Sequence, residues 1–242
     1  MKEHIFTTRG HSVALEHAVK ELKANGWVHR SDAKIVILPV PSFDSDGHLK
    51  GGGTLDDIPT DCVIVGGNLD HPALKKHACV DLLKDSLYLS ENAAITAYCA
   101  ICIAMKNLPV ILQDCPILVA GWGRIGKCLV RLLRLLGAKI TVAARSEADR
   151  ALTEALGYSS VDIHSDSLDL SAYRVIFNTI PAKVFTEHAL KSCQDECVKI
   201  DLASVQGFAG KDIIWARGLP NLNAPESSGK LIAKLVRKEF EA

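Results

Sequence analysis

Residues 115–146 read CPILVAGWGRIGKCLVRLLRLLGAKITVAARS. An apolar run ends at Gly121-Trp122-Gly123-Arg124-Ile125-Gly126, a stretch with helical periodicity follows, and a second apolar run succeeds Gly137. Strand, Gly-x-Gly-x-x-Gly turn, helix and strand in that order make a dinucleotide-binding unit. Gly121 permits the tight turn, Gly123 lets the backbone approach a pyrophosphate, and Gly126 lets the helix lie close to the sheet. The spacing puts Ile125, Cys128, Leu129, Leu132, Leu133 and Leu136 on one helical face and Lys127, Arg131 and Arg134 on the other, with Gly137 as the stop.

The motif alone also describes a glycine-rich turn that holds nothing. Here the strand before it and the helix and strand after it supply the context that a nucleotide site requires. The second strand ends Ala144-Arg145-Ser146, without the carboxylate that ordinarily holds the ribose 2′-hydroxyl of NAD. A guanidinium pairs with a 2′-phosphate and a serine adds a donor, so these residues favour NADP; the alternative is a solvated surface arginine.

The chain has 242 residues, room for one large or two small domains. Lys plus Arg number 28 and Asp plus Glu number 28, so no basic stripe or acidic tail announces nucleic acid or membrane, and a small molecule is the expected partner. The opening KEHIFTTRGH lacks the apolar core of a signal peptide, and the apolar stretch around residues 93–105 reads as too short and interrupted to span a bilayer. A cytoplasmic protein is expected. Of the eight cysteines, Cys62, Cys115 and Cys128 lie in or beside apolar segments, and Cys99 and Cys102 fall within a helical run rather than at a helix start. Cys193 and Cys197 lack a second pair at zinc spacing, so reduced thiols and no metal are expected.

Alternation continues after the fingerprint. GYSSVDIH, YRVIFNTIP, CVKIDLAS and DIIWARGLP read as strands and EHALKSC as a short helix, giving a Rossmann sheet whose ligands bind beyond the carboxyl ends of the strands. Two such ends matter most, Asn178-Thr179-Ile180-Pro181 and Leu202-Ala203-Ser204, although Asn, Ser and Pro also serve ordinary turns. The expected cofactor set is therefore Gly121, Trp122, Gly123, Arg124, Ile125 and Gly126, with Arg145 and Ser146, and then Asn178, Thr179, Ile180, Pro181, Leu202 and Ala203.

The first ninety residues read as a smaller, flavodoxin-like α/β domain. EHIFTT is a strand, SVALEHAVKELKANG a helix with Leu15, Ala18, Val19 and Leu22 inward, and AKIVILPVP and DCVIVGG are strands. SFDSDGHLKGGGTLDD reads as a mobile surface connection, the alternative being a cover over substrate. Ser90-Glu91-Asn92 opens a connecting helix over residues 91–107, and the final helix, with Leu231, Ile232, Leu235, Val236 and Phe240 in one stripe, is expected to return to the first domain. The predicted architecture is two α/β domains: residues 1–90 with 226–242, and a doubly wound parallel Rossmann domain over residues 91–225.

Several segments together resemble the A subunit of dipicolinate synthase: GWGRIG at 121–126, AARS at 143–146, FNTIP at 177–181, IDLAS at 200–204 and GLPNLNAPESSGK at 218–230, with LPVPS at 38–42 and the ENAAIT connector. The resemblance implies an NADP-using dehydrogenase subunit that works with a flavoprotein-like B subunit to oxidise dihydrodipicolinate to dipicolinate in sporulating bacteria, as a homo-oligomer. Three departures stand out. The family's Gly-Gly-Asp-x-Arg start is replaced by Thr7-Thr8-Arg9-Gly10, a strand is missing after Trp27, and the basic residue expected after Ala-Pro is Glu226.

A dianionic substrate between the domains calls for cations and neutral donors. The candidates are Arg9 as carboxylate clamp with Ser42, Asn92, Thr96 and Ser204 as donors, any of which also fits a structural role. His11, His71 and His77 have no carboxylate at a spacing that makes a general base. Two other readings remain. A 2-hydroxyacid-dehydrogenase-like enzyme is disfavoured by Glu226, where that chemistry places a histidine, and a non-catalytic NADP-binding regulatory subunit is the other.

Overall fold

The computed structural model describes residues 3–165 and 168–241, which divide into two units, 1–95 with 220–242 and 96–219. In the first unit short β-branched runs form β1 (Ile5–Thr8), β2 (Val28–His29), β3 (Ile35–Ile37), β4 (Val63–Gly66) and β5 (Ala78–Asp81). All neighbours pair in parallel in the order β2-β1-β3-β4-β5, the flavodoxin-like arrangement. The strand expected to be missing after Trp27 is present as β2, two residues long, with Ile5 opposite Val28.

Helix α1 (Val13–Ala24) starts where the Ser12 hydroxyl accepts the Leu15 N–H at 3.1 Å, and the chain leaves it through Gly26 at φ +84°. Ala14, Leu15, Ala18 and Leu22 are buried against Leu231, Ile232, Leu235 and Val236 of the last helix. A Cβ on Gly229 of that helix would stand 2.4 Å from the Ala14 carbonyl oxygen, so the two helices touch at backbone distance. The Trp27 indole, buried beside them, donates to Glu241 Oε1 at 2.7 Å.

The connection expected to be mobile is anchored. Phe43 and Leu49 form an antiparallel bridge, and Leu49, Leu55 and Ile58 are buried with Val36, Leu38 and Ile64, so its apolar residues supply a small core beneath a polar surface.

Helix α2 (Ser86–Asn107) begins before Ser90, because Asp85 Oδ1 accepts the Tyr88 N–H at 2.7 Å and caps an earlier turn. At 22 residues it is long and apolar enough by composition to cross a membrane, contrary to the reading of a short run. Its buried side chains include Ala93, Ala97, Ala100, Ile101 and Ala104, the mark of a core helix. Core packing is the natural reading of both Cys99 and Cys102 within a helical run, but only Cys99 is buried and Cys102 is exposed.

In the second unit, β6 (Pro116–Ala120), β7 (Lys139–Ala144), β8 (Ser159–Asp162), β9 (Val175–Asn178), β10 (Val198–Asp201) and β11 (Ile213–Trp215) form one parallel sheet ordered β11-β10-β9-β6-β7-β8. The chain builds outward from β6 in one direction and from β9 in the other, so the topological switch lies between those two strands. Helix α3 (Arg124–Leu135) buries Leu129, Val130, Leu132 and Leu133. Leu136, expected on that face, is exposed because the helix has ended, and Cys128 is half-buried. Helices α4 (Glu147–Ala155) and α5 (Glu187–Leu190) follow β7 and β9; α6 (Leu219–Asn223) and α7 (Pro225–Phe240), the last helix already met, complete the chain.

Candidate nucleotide site

The carboxyl ends of β6 and β9 meet where Ala120 pairs with Asn178. The Thr179 hydroxyl donates to the Ala120 carbonyl at 2.8 Å and ties the two ends together. Gly121 turns at φ +103°, a region L side chains avoid, and a Cβ there would stand 2.3 Å from Thr179 Oγ1. A Cβ on Gly126 would meet the Gly121 carbonyl oxygen at 2.1 Å, so the helix starts pressed on the turn. Gly123 differs: nothing lies within 4 Å of where its Cβ would be, and no side chain caps the α3 N-terminus. The first-turn N–H groups of α3 and their positive dipole end thus remain for an anion.

Beside this turn is a groove of about 650 Å³. Of the expected cofactor set it brings together Gly121, Trp122, Gly123, Arg145, Thr179, Ile180 and Pro181. It adds Ala144, Asp149, Ile163, His164, Ala182, Lys183 and Val184, which sequence reasoning missed. The dehydrogenase motif carries no signal for His164 or Lys183, which come from loops beyond β8 and β9.

Arg145 is exposed, and among the described residues no hydrogen bond or ion pair holds its guanidinium. Its neighbour Arg150 is committed, bonding the Ala144 and Arg145 carbonyls and pairing with Asp162 at 3.2 Å. Trp122 is buried, edge-on to Tyr158, with the Lys127 ammonium 5.7 Å from its ring, and its indole N–H has no partner.

Other members of the expected set do not line the groove. Ser146 accepts the Asp149 N–H at 3.4 Å as the α4 cap, so its hydroxyl serves the helix. Asn178 is fully buried: its amide donates to Ile180 O and to Asp201 Oδ1, each at 3.0 Å, and its oxygen accepts the Ile180 N–H. Leu202 and Ala203 are buried, while Arg124, Ile125 and Gly126 form the first turn of α3.

The substrate candidates are dispersed over several local settings. Arg9 Nη2 lies 3.3 Å from Asp57 Oδ2, so its guanidinium already has a carboxylate. The Ser42 hydroxyl, fully buried, donates to Pro39 O at 2.8 Å and accepts the Gly67 N–H at 3.0 Å, which spends it on local turns. Asn92 and Thr96 stand one turn apart on α2, half-buried and buried, and Ser204 is exposed. His11, expected to lack a carboxylate, has its Nδ1 3.7 Å from Glu16 Oε1 on an exposed surface. Glu226 pairs with Lys230 at 2.6 Å in the first turn of α7. Asp44, Asp46 and His48 gather exposed carboxylate and imidazole groups, but Asp44 Oδ1 accepts the Asp46 and His48 N–H groups, which is turn chemistry.

No family model matches the chain. The dipicolinate synthase A subunit of Bacillus subtilis (strain 168) is 29% identical over 199 residues, a match that takes in 76% of this chain and 66% of that protein, just under two thirds of its length. The crystal structure of the dipicolinate synthase A subunit from Bacillus halodurans superposes with a TM-score of 0.85 at 22% identity, covering 99% of this chain and 98% of that one. The Bacillus subtilis counterpart gives a TM-score of 0.82 at 22% identity, with 100% and 97% covered. In sequence and in fold, then, the chain is similar to the A subunits of dipicolinate synthase.

Proposed function

We propose that this chain is a nicotinamide dinucleotide-dependent oxidoreductase subunit, that its dinucleotide is NADP, and that it oxidises dihydrodipicolinate to dipicolinate in partnership with a B subunit. The carrying observation is the contrast among the three glycines. Two are filled by protein contacts and the third, Gly123, faces open space at an uncapped helix N-terminus beside the groove. That is the space and the polarity a pyrophosphate requires.

The residues present fit the cofactor. Gly123 and the first turn of α3 would hold the pyrophosphate, Arg145 the 2′-phosphate, and Thr179, Ile180 and Pro181 the ring half of the molecule. The bound cofactor supplies the hydride acceptor. The chain orients it and, through apolar Ile180 and Pro181, keeps water from one wall.

A second reading, a nucleotide-binding subunit without its own catalysis, is favoured by the commitment of Arg9 to Asp57 and of Ser42 to its turn. Formation of the reduced nicotinamide band from dihydrodipicolinate and NADP, with and without the B subunit, separates the two. Turnover supports the enzyme; binding of NADP without turnover in either mixture supports the second reading.

A further inference from the structure

We infer that Cys193 and Cys197 form a reactive dithiol at the amino end of β10, a modification site where a hydroperoxide closes an intramolecular disulfide. The two cysteines flank the turn between α5 and β10, in which the Cys197 N–H bonds Gln194 O at 3.0 Å. Each thiol is the largest influence on the other's titration. Cys197 is buried among Leu118, Ile176 and Phe185, and Cys193 packs on the same cluster while remaining half-buried. One sulfur is therefore reachable and the other is buried in the same cluster across a single turn, the arrangement of an attacking and a resolving cysteine.

The surroundings favour a thiolate. Lys199 stands close enough to act on both sulfurs, and its Nζ donates to the Cys197 carbonyl at 3.1 Å. Arg174 acts on Cys197, and its Nε is buried without a partner, while its Nη1 reaches Gln194 Oε1 in the same turn at 3.3 Å. Asp169 is the opposing charge. The influence of the Cys197 thiol outweighs burial and Asp169, and brings the Cys193 thiol down to about 7, whereas Cys193, with burial, raises Cys197. The other cysteines whose shift is resolved, Cys79, Cys99, Cys115 and Cys128, are all raised by burial.

The chemistry balances with hydrogen peroxide as oxidant. The Cys193 thiolate attacks one oxygen, the O–O bond breaks, and a sulfenic acid and hydroxide form. Cys197 sulfur then attacks Cys193 sulfur, the S–S bond forms as the S–O bond breaks, and the departing hydroxide takes the Cys197 proton as water. Two thiols lose two electrons in all and the peroxide gains them.

At pH 7 a thiol of pKa about 7 is about half thiolate, against about 3% for a free cysteine near 8.5, roughly a fifteenfold gain. The weaker nucleophilicity of the more acidic thiol takes back about fivefold, leaving about threefold, so the rate at one pH is a poor discriminator and the pH profile a good one. The intact chain is treated with hydrogen peroxide at pH 5.5 to 9, quenched with an alkylating agent and digested for mass spectrometry. Exposed Cys79 and Cys102 serve as internal references. The expected result is a Cys193–Cys197 disulfide, reversed by dithiothreitol, whose formation rate inflects near pH 7. In Cys197→Ser, dimedone should trap a sulfenic acid at Cys193 and the inflection should move up; in Cys193→Ser, Cys197 should stay a thiol. Cys193 remaining reduced while Cys79 and Cys102 react overturns the inference, as does an inflection near pH 7 that survives Cys197→Ser, or oxidation of Cys197 in Cys193→Ser.

Discussion

Asn178 and Asp201, both fully buried at the carboxyl ends of neighbouring strands, share a hydrogen bond of 3.0 Å. Asp201 also accepts the Ala203 N–H at 3.0 Å and the Gly207 N–H at 2.6 Å, so one carboxylate gathers three buried donors and fixes the ends of β9 and β10 together. These strand ends, rather than their side-chain chemistry toward a ligand, are what Asn178 contributes to the groove.

Asp201→Ala should therefore destabilise the second unit heavily. Each stranded donor costs about 1–3 kcal/mol, which sets the expected loss at about 3 kcal/mol or more. Asp201→Asn, which keeps one acceptor oxygen, should lie between. Urea unfolding measures this; a loss below about 1 kcal/mol for Asp201→Ala would show that the network does not hold the strand ends.

Arg145 has no partner within the described protein, so removing its guanidinium should cost ligand binding and little stability. Arg145→Ala should weaken NADP by about one to two decades, the worth of a charge-assisted pair at roughly 1.5–3 kcal/mol, and leave NAD nearly unchanged. Calorimetric titration of both cofactors into both proteins gives the four constants. Equal weakening of NAD and NADP would remove Arg145 from the 2′-phosphate.

Glu241 carries a pH dependence whose sign is fixed by its partners. The Arg237 guanidinium and then the Trp27 indole hydrogen-bond its carboxylate and hold it below the ordinary glutamate range. A group lowered on folding stabilises above its unfolded value, about 4.3, and the contribution is lost as pH falls through the folded value. Wild type should melt above Glu241→Gln by a constant margin from about pH 5 upward, and the margin should close below about pH 4. A margin unchanged down to pH 3 would contradict the pairing.

Where the sequence read well, backbone geometry left few options. Gly121, Gly126 and Gly137 stand where a side chain would collide or where φ is positive, and these requirements print themselves as glycine. Strand β2 escaped because Val28 and His29 are too few to show alternation, and β5 because Ala78 and Cys79 at the sheet edge are exposed. The start of α2 was misplaced because Ser90-Glu91-Asn92 imitates a cap while Asp85 is the residue that caps the first turn. In the site, Ser146 and Asn178 looked like ligand contacts because polar residues at strand ends have two uses. One caps a helix and the other turns inward, a choice made by neighbours distant in sequence such as Asp201.

We assign the open face of Gly123 to the pyrophosphate of a nicotinamide dinucleotide. Calorimetric titration of NADPH into wild type and Gly123→Val, with thermal melting of both, addresses it directly. No protein atom lies within 4 Å of where a Cβ would stand at Gly123, and the space beyond is the one assigned to the phosphates, so the variant should melt like wild type while saturable binding disappears. Binding of NADPH to Gly123→Val with wild-type affinity, or no binding to the wild-type protein, would contradict the account.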